Sequence, residues 1–515
     1  MKIIYVDVDS LRPDHTGAYG YGRNITPNLD ALASRGVRFD RYYCSDSPCL
    51  PSRTALMSGQ FGITNGVVGH AGTAARFRLD AGHRYEPGRP LVGQHLTAHG
   101  YRTAAVSSFA ERHRAYYFMG NFQENIQAQP LVGDEPAELI TDTAVDWIRR
   151  NRDTEDWYLH VTYWDPHMDY LQDKEWTDRA AASGPAPDWP TQDAIDTHAE
   201  IYGPRTALDL HYAGGPRTSS VPHNMPEEIR TRADVEHLFN GYDGSILYWD
   251  HHFGRLLAAI DEMGLTDEVA IVVSADHGEA FGELGSYGEH GTASEPVQKI
   301  PLIVYWPGAT ENAAHRSNDA LLYNIDYGPT LCELLGLDIP EKWQGTSFAD
   351  AIKPSETQRE PIPPRDYLVL GHGAHTFQRS VRTRDHQYIC TYHPGSFDVE
   401  WEYLFHVTED PHLERNIIDE QPELAAAMRS RLAEWWNFYA GRPGSLPDPM
   451  QIALQEGPTL YSRPEEYAQH LRDTGREPLA ERLESRLEPQ HGAVPVSWHA
   501  PASIRTVRLR KPAGK

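Results

Sequence analysis

Short runs of β-branched and aromatic residues recur along the first two thirds of the chain: IIYVDV (3–8), YRTAAVS (101–107), WYLHVTYW (157–164), VAIVVSA (269–275) and PLIVYW (301–306). They are apolar on both alternating faces, the pattern of strands covered on two sides. Between them apolar positions return at helical spacing. Thr26-Pro27 followed by NLDALASRG reads as an N-cap, a first-turn proline and a closing glycine; PLVGQHLTAHG and NIDYGPTLCELLGL behave alike. The longest helical pattern runs from 233 to 263. Strands alternating with helices predict an α/β fold, a large mostly parallel sheet flanked by helices.

After Pro354 the texture changes. YLVLGH, RSVRTR, HQYICTYH and EWEYLFHV follow one another without intervening helices, and PELAAAMRSRLAEWWNFYAG then reads as one amphipathic helix. A smaller C-terminal antiparallel sheet with a helix on it is expected. The expected division is a catalytic domain over 1–354, this subdomain over 355–445 and an extension over 446–515. The extension holds one helical stretch, 465–486, that fits a wrapping arm and a dimerisation element equally well. Residues 168–232, rich in Pro, Asp, Thr and Gly, read as a long insertion of the kind that often carries function.

The formal charge of −26 repels phosphate backbones and anionic lipid, which excludes nucleic acid and membrane surfaces as natural partners. No run of eighteen apolar residues occurs, and MKIIYVDVD lacks the basic start of a signal peptide, so a cytoplasmic location is expected. Four scattered cysteines form no CxxC pair; any metal must come from oxygen and imidazole ligands. No lysine occurs between Lys2 and Lys174, although arginine is abundant.

In a parallel sheet, ligands bind beyond the carboxyl ends of the strands. There the first strand gives Asp7, Asp9 and Ser10, the third runs into Asp165-Pro166-His167, and the fourth into Asp276-His277-Gly278-Glu279. Carboxylates from two strands with an adjacent histidine make a reasonable ligand set for a divalent cation.

With these stretches in place, the chain resembles the sulfatase family of the alkaline phosphatase superfamily. CLPSR (49–53) fits that family's C-x-P-S-R signature, and VDSLRPDHTGAYGY, TPNLDALASRGVRF, WDPH, SADHGE, KIPLIVYWPG and YLFHVTEDPHLERNI agree in order along the chain. The resemblance implies a sulfuric ester hydrolase acting on a sulfate monoester, with a sulfated carbohydrate as substrate. Cys49 would be oxidised by a formylglycine-generating enzyme, reading it as an unfolded peptide. The formylglycine would hydrate to a geminal diol, one hydroxyl attacking sulfur and the other later expelling sulfate. Asp9, Asp276, His277 and residue 49 would bind the metal, Arg53 would hold the residue-49 oxygen, and His167 would contact sulfate or protonate the leaving oxygen.

Three departures stand out. Ser10 occupies the place of a second aspartate, so the metal set of Asp9, Ser10, Cys49, Asp276 and His277 is one carboxylate short. Calcium is the expected ion, with manganese and magnesium as alternatives; Asp7 either compensates or belongs to a buried network. VSSFAERHR replaces a Lys-x-His pair, leaving Arg112, His113 or Arg114 to reach the sulfate. His290 stands where relatives place a catalytic lysine, and an imidazole there is expected to be partly charged near neutral pH, with activity falling at high pH. Tyrosines and histidines in AYYFMGNF and HAEIYGPRTALDLHY are candidates to contact a saccharide, although loop packing accounts for most of them. The rival readings are a phosphonate monoester or phosphodiester hydrolase, a silent binding protein with this fold, and a thiol enzyme using Cys49 with His167. A homo-oligomer stays open.

Overall fold

The computed structural model describes residues 1–78, 89–130, 132–217, 219–310, 316–354, 364–454, 456–458 and 463–487. Its centre is an eight-stranded sheet in the order Arg316–Asn318, Val37–Phe39, Leu302–Tyr305, Val269–Ala275, Lys2–Val8, Trp157–Tyr163, Arg102–Val106, Glu124–Ile126. Lys2–Val8 lies in the middle, parallel to both neighbours. It is buried along its whole length, as are the Trp157–Tyr163 and Val269–Ala275 strands. This is the two-faced burial that the unbroken apolar runs predict.

Leu302–Tyr305 alone runs against the rest, antiparallel to Val269–Ala275 and to Val37–Phe39. The chain between Ala275 and this strand never crosses the sheet through a long helix, so it re-enters from the same end and must run the opposite way. That detour, 276–301, stays at the carboxyl end of the strands and delivers much of the site. Helices Pro27–Arg35, Ala137–Asn151 and Arg232–Glu262 flank the sheet. The last starts at a capping box in which the Thr231 hydroxyl accepts from the Asp234 N–H while the Asp234 carboxylate accepts from Thr231.

Strands Leu368–Gly373, Phe377–Arg382, Gln387–His393 and Glu402–Phe405 form an antiparallel meander, with helix Pro422–Tyr439 packed against it. A fifth, two-residue strand, Asp46–Ser47, joins its edge in parallel, Gly371 opposite Asp46 and His372 opposite Ser47. The second sheet is thus hydrogen-bonded to the segment that leads into Cys49. The expected boundary at 354/355 falls on residues 355–363, outside the described residues, as does the extension beyond 487. Helices Pro464–Asp473 and Glu477–Leu487 bury Tyr467, Leu471 and Leu483 against Tyr202 and Tyr212. Asp209 meanwhile accepts from His470 and Arg476. These helices also reach the loop of the second sheet, where Arg482 pairs with Asp398 and Arg486 with Glu400.

Candidate active site

Because Val8 is in register with both Tyr163 and Ala275, the residues after all three strands emerge together. The Asp9 N–H donates to Tyr163 O at 2.9 Å. Ser10 then turns at φ 60°, a left-handed backbone. Its N–H donates to Asp276 Oδ1 at 3.1 Å and its hydroxyl to Asp9 Oδ1 at 2.9 Å. The Tyr242 hydroxyl donates to its carbonyl at 2.7 Å. In this arrangement Ser10 braces both aspartates. His277 Nδ1 lies 2.8 Å from Gly278 O and so carries the proton, which leaves Nε2 as an acceptor 3.0 Å from Cys49 Sγ. Gly278 makes the turn possible, since a Cβ there would lie 2.0 Å from Pro296 O.

Cys49 is the first residue of helix Cys49–Ser58, whose ten residues are all buried and which closes at Gly59 with φ 63°. Arg53, one turn on, faces the same way. Its Nε donates to Asp7 Oδ2 at 2.7 Å, Nη2 to Asp7 Oδ1 at 3.2 Å, and Nη1 to Asp9 Oδ2 at 2.9 Å and Asp276 Oδ2 at 2.6 Å. Its hydrogen bonds here therefore run to three aspartates. Asp7 is enclosed by Arg53 and by His160 Nε2 at 3.2 Å, the geometry of a buried network residue.

Burial pushes Asp276 well above the usual carboxylate range, and Asp9 and Asp7 add to this against the pull of Arg53. Asp9 is also buried, but Arg53 and then His167 and His277 hold it far below that range. Three buried carboxylates against one guanidinium leave an excess of negative charge that needs a further cation. Ligand atoms of Asp9, Cys49, Asp276 and His277 all lie within 4.8 Å of one another. The donor set and its unbalanced charge fit a divalent ion.

Residues 2–337 match the family Sulfatase, and residues 282–437 match N-sulphoglucosamine sulphohydrolase, C-terminal. The chain belongs to the sulfatase family. It is a hydrolase of sulfuric esters. Among its relatives are an N-acetylglucosamine-6-O-sulfatase of Bacteroides thetaiotaomicron, 22% identical over 81% of this chain and 82% of that one, and an arylsulfatase of Clostridium perfringens, 23% identical over 82% and 90%. A protein solved in complex with its substrate D-glucosamine-2-N,6-O-disulfate shares the fold at TM-score 0.67 and 20% identity, covering 84% of this chain and 97% of that chain. The phosphonate monoester hydrolase of Agrobacterium radiobacter shares it at 0.63 and 18%, covering 84% and 95%.

The other half of this sulfatase's site is built from imidazoles. His290 lies against His277, ring centroids 4.3 Å apart, and 6.3 Å from the His167 ring. Arg112 spans from Trp164, 5.1 Å from its ring, to His167 Nε2 at 3.5 Å. His113 packs edge-on against His70, and burial with Arg112 beside it pushes it down to about 3. Arg114 is exposed. The expectation of a partly charged His290 is corrected by its neighbours: burial alone would lower it, but Glu289 at 3.3 Å and Glu279 at 3.7 Å from Nδ1 outweigh that and push it up to about 9.

Sequence reasoning missed His70, whose Nε2 accepts the Leu50 N–H at 3.2 Å, and His372, whose Nδ1 lies 3.0 Å from Ser47 Oγ. It also missed His375 and Glu289. The GEH triplet 288–290 carried a signal for Glu289, being adjacent to a residue already singled out; the others stand on remote segments. A cavity of about 450 Å³ opens beside His167, walled by Trp164, Asp165, Met168, Trp176 and Tyr248. The aromatics read as saccharide contacts mostly pack: Tyr202 and Tyr212 lie under the tail helices, and Tyr117 stacks on Phe77.

Proposed function

We propose that this sulfatase cleaves the sulfate monoester of a sulfated carbohydrate, using Cys49 oxidised to formylglycine and a divalent cation, calcium first, held by Asp9, Asp276, His277 and residue 49. The observation that carries this reading is the position of Cys49 Sγ, at the head of a buried helix and within ligand distance of both aspartates and His277. That sulfur stands where a hydroxyl oxygen of the hydrated aldehyde would sit. When present, the hydrated aldehyde supplies the nucleophile and the cation lowers its pKa. Unmodified, the residue is a poor nucleophile: burial, then Asp9 and Asp276, push its thiol well above the ordinary range, which argues against the thiol enzyme.

The chain's own residues divide the rest of the work. Arg53 fixes Asp7, Asp9 and Asp276 in one orientation, and its guanidinium is the nearest fixed positive charge to them. The proton on His277 Nδ1, held by Gly278 O, keeps Nε2 aimed at residue 49. His167 is pushed below its usual range by burial, against the pull of Asp9, and stands neutral at pH 7 to contact the sulfate. His290, charged below about 9, donates its proton to the leaving alcohol. Arg112 and His113 close the pocket where relatives use Lys-x-His, Arg112 supplying charge to the sulfuryl oxygens. Only about 2% of Cys49 is exposed, so its oxidation by a formylglycine-generating enzyme must precede closure of the fold. The carbohydrate assignment rests on the relatives' names, N-acetylglucosamine-6-O-sulfatase, ulvan-active sulfatase and iduronate 2-sulfatase among them.

Mass analysis of the peptide spanning residue 49, with turnover of aryl sulfate against aryl phosphonate esters, tests the reading. Aldehyde at 49 and preference for sulfate support it. Thiol in fully active enzyme ends the mechanism, and preference for the phosphonate hands the site to the rival hydrolase that the Agrobacterium fold neighbour represents.

A further inference from the structure

The cavity beside His167 has walls that the reaction above leaves unused. Its volume of about 450 Å³ is that of a small-molecule site. Six carboxylates line it, Asp134, Glu135, Glu138, Asp165, Asp169 and Asp173, and no lysine or arginine does. Two of the six are met by cations: Asp169 by Arg217 at 2.9 Å and Arg205 at 4.0 Å, and Asp134 by Arg112 at 3.8 Å. Glu135 accepts only from neutral donors, the Ser108 hydroxyl and the Val132 and Gly133 N–H groups, and Asp165 only from the Ala137 N–H and the Ser245 hydroxyl. Among the described residues none of Glu135, Glu138, Asp165 and Asp173 forms an ion pair, and Lys174, next in the chain, is taken by Asp178. Gln172 adds an open acceptor to the same wall. It is 7% exposed, its Nε2 donates to Gly241 O at 2.7 Å, and its Oε1 is buried with no partner. Such an oxygen stays costly until a donor on a ligand meets it.

Helix N-termini explain where Glu138 and Asp173 stand singly, since a first turn favours a carboxylate. They do not explain why both share one concave wall with Glu135, Asp165 and the unmet oxygen of Gln172. Trp164, Trp176 and Tyr248 supply the apolar surface between them, which limits screening by water. A ligand here meets acceptors and uncompensated negative charge, so a uronate or a second sulfate is repelled and a donor-rich cation is drawn in. We propose that this cavity holds the leaving alcohol and selects one that carries a protonated amine, an amino sugar with its nitrogen free, over neutral and anionic counterparts. This rests on the sulfatase reading, in which His167 meets the sulfate and the alcohol beyond it enters the cavity that His167 lines.

Three aryl sulfates test the selection: 4-(2-aminoethyl)phenyl, 4-ethylphenyl and 4-(2-carboxyethyl)phenyl sulfate. Their side chains are cationic, neutral and anionic, while two methylenes keep the leaving phenols nearly alike. At low ionic strength kcat/KM is expected to be at least about fivefold higher for the ammonium than for the ethyl compound, with the carboxylate lowest and the difference carried by KM. The double variant Glu138→Gln, Asp173→Asn changes two exposed side chains and should cut the ammonium preference at least about twofold. A smaller preference in the wild type overturns the subsite, and so does a preference that the double variant leaves intact. In either case turnover of the ethyl compound leaves the sulfatase reading standing, whereas turnover of none of the three ends both.

Discussion

The two halves of the pocket are made differently. The carboxylate half, Asp7, Asp9, Asp276, His277 and Arg53, hangs on the ends of adjacent parallel strands and one buried helix, and its charges are cross-braced by short hydrogen bonds. The imidazole half, His70, Arg112, His113, His167, His290 and His375, comes from loops and from the start of the second sheet. Its members touch mainly through ring contacts and partial ion pairs. The first half is rigid because sheet register fixes it; the second is assembled by packing. A substitution in the first should therefore remove chemistry and stability together, and one in the second should tune proton transfer or binding while the fold stands.

The sharpest separation comes from residue 49. Cys49→Ala is expected to reduce aryl sulfatase activity by about 10⁵-fold, the scale on which loss of a nucleophile is felt. Its circular dichroism and melting should stay near those of the wild type, because only a small buried side chain is lost. Activity retained within tenfold would break the division of labour at its centre.

Arg53→Lys comes next. A lysine cannot serve Asp7, Asp9 and Asp276 at once, since it lacks the planar fork. Leaving buried carboxylates unpaired costs about 3–5 kcal/mol, to be read as a drop in the denaturant midpoint. The pairing also sets the sign with pH. Asp7 and Asp9 are held below their unfolded values, so their contribution is complete above the normal carboxylate range and is lost as pH falls through the lowered values. The wild-type protein should thus lose more stability on acidification than Arg53→Lys does; equal losses would mean that the guanidinium is not what holds these groups.

The same contrast explains what could be read from the chain. Strand ends are legible: IIYVDVDS and VVSADHGE each place a polar residue directly after an apolar run, and parallel register then brings Asp9 and Asp276 together without further information. CLPSR carried the proposed nucleophile and Arg53 in five letters. That Arg53 also reaches Asp7, Asp9 and Asp276 depended on the direction of its side chain, which no pattern encodes. His70 and His375 were out of reach because nothing local marks them. Each lies in a loop, and the second sheet is brought against the site by long-range pairing, of Asp46–Ser47 with Leu368–Gly373 and of Ala293 and Gln298 with Gln378 and Ser380. The antiparallel Leu302–Tyr305 strand was hidden likewise, since apolarity reports burial and carries no direction.

Within the imidazole half, His290 gives the larger effect. His290→Asn should lower kcat about 10²–10³-fold, the usual worth of a positioned proton donor, with little change in melting temperature. For the wild type, the working form is the charged one. Its group titrates near 9 because Glu289 and Glu279 outweigh burial, so the rate should be level at neutral pH and fall as pH rises through about 9. Glu289→Gln should move that fall to lower pH. A profile flat beyond 10 would remove His290 from the proton step.

The smallest expected change is at the rim. Arg112 is part exposed, its side chain 28% open, and it is shared among Val132 O, Asp134 at 3.8 Å and His167. An exposed charge is screened by water and salt, so it contributes less than a buried one. It acts on the monoanionic sulfate ester on its way in more than on the bond being broken. Arg112→Gln should therefore raise KM for an aryl sulfate about 3–10-fold and leave kcat within twofold, with the KM penalty shrinking as ionic strength rises. A loss carried by kcat instead would place Arg112 with the groups that meet the transition state, and the line between the two halves would have to be redrawn to include it.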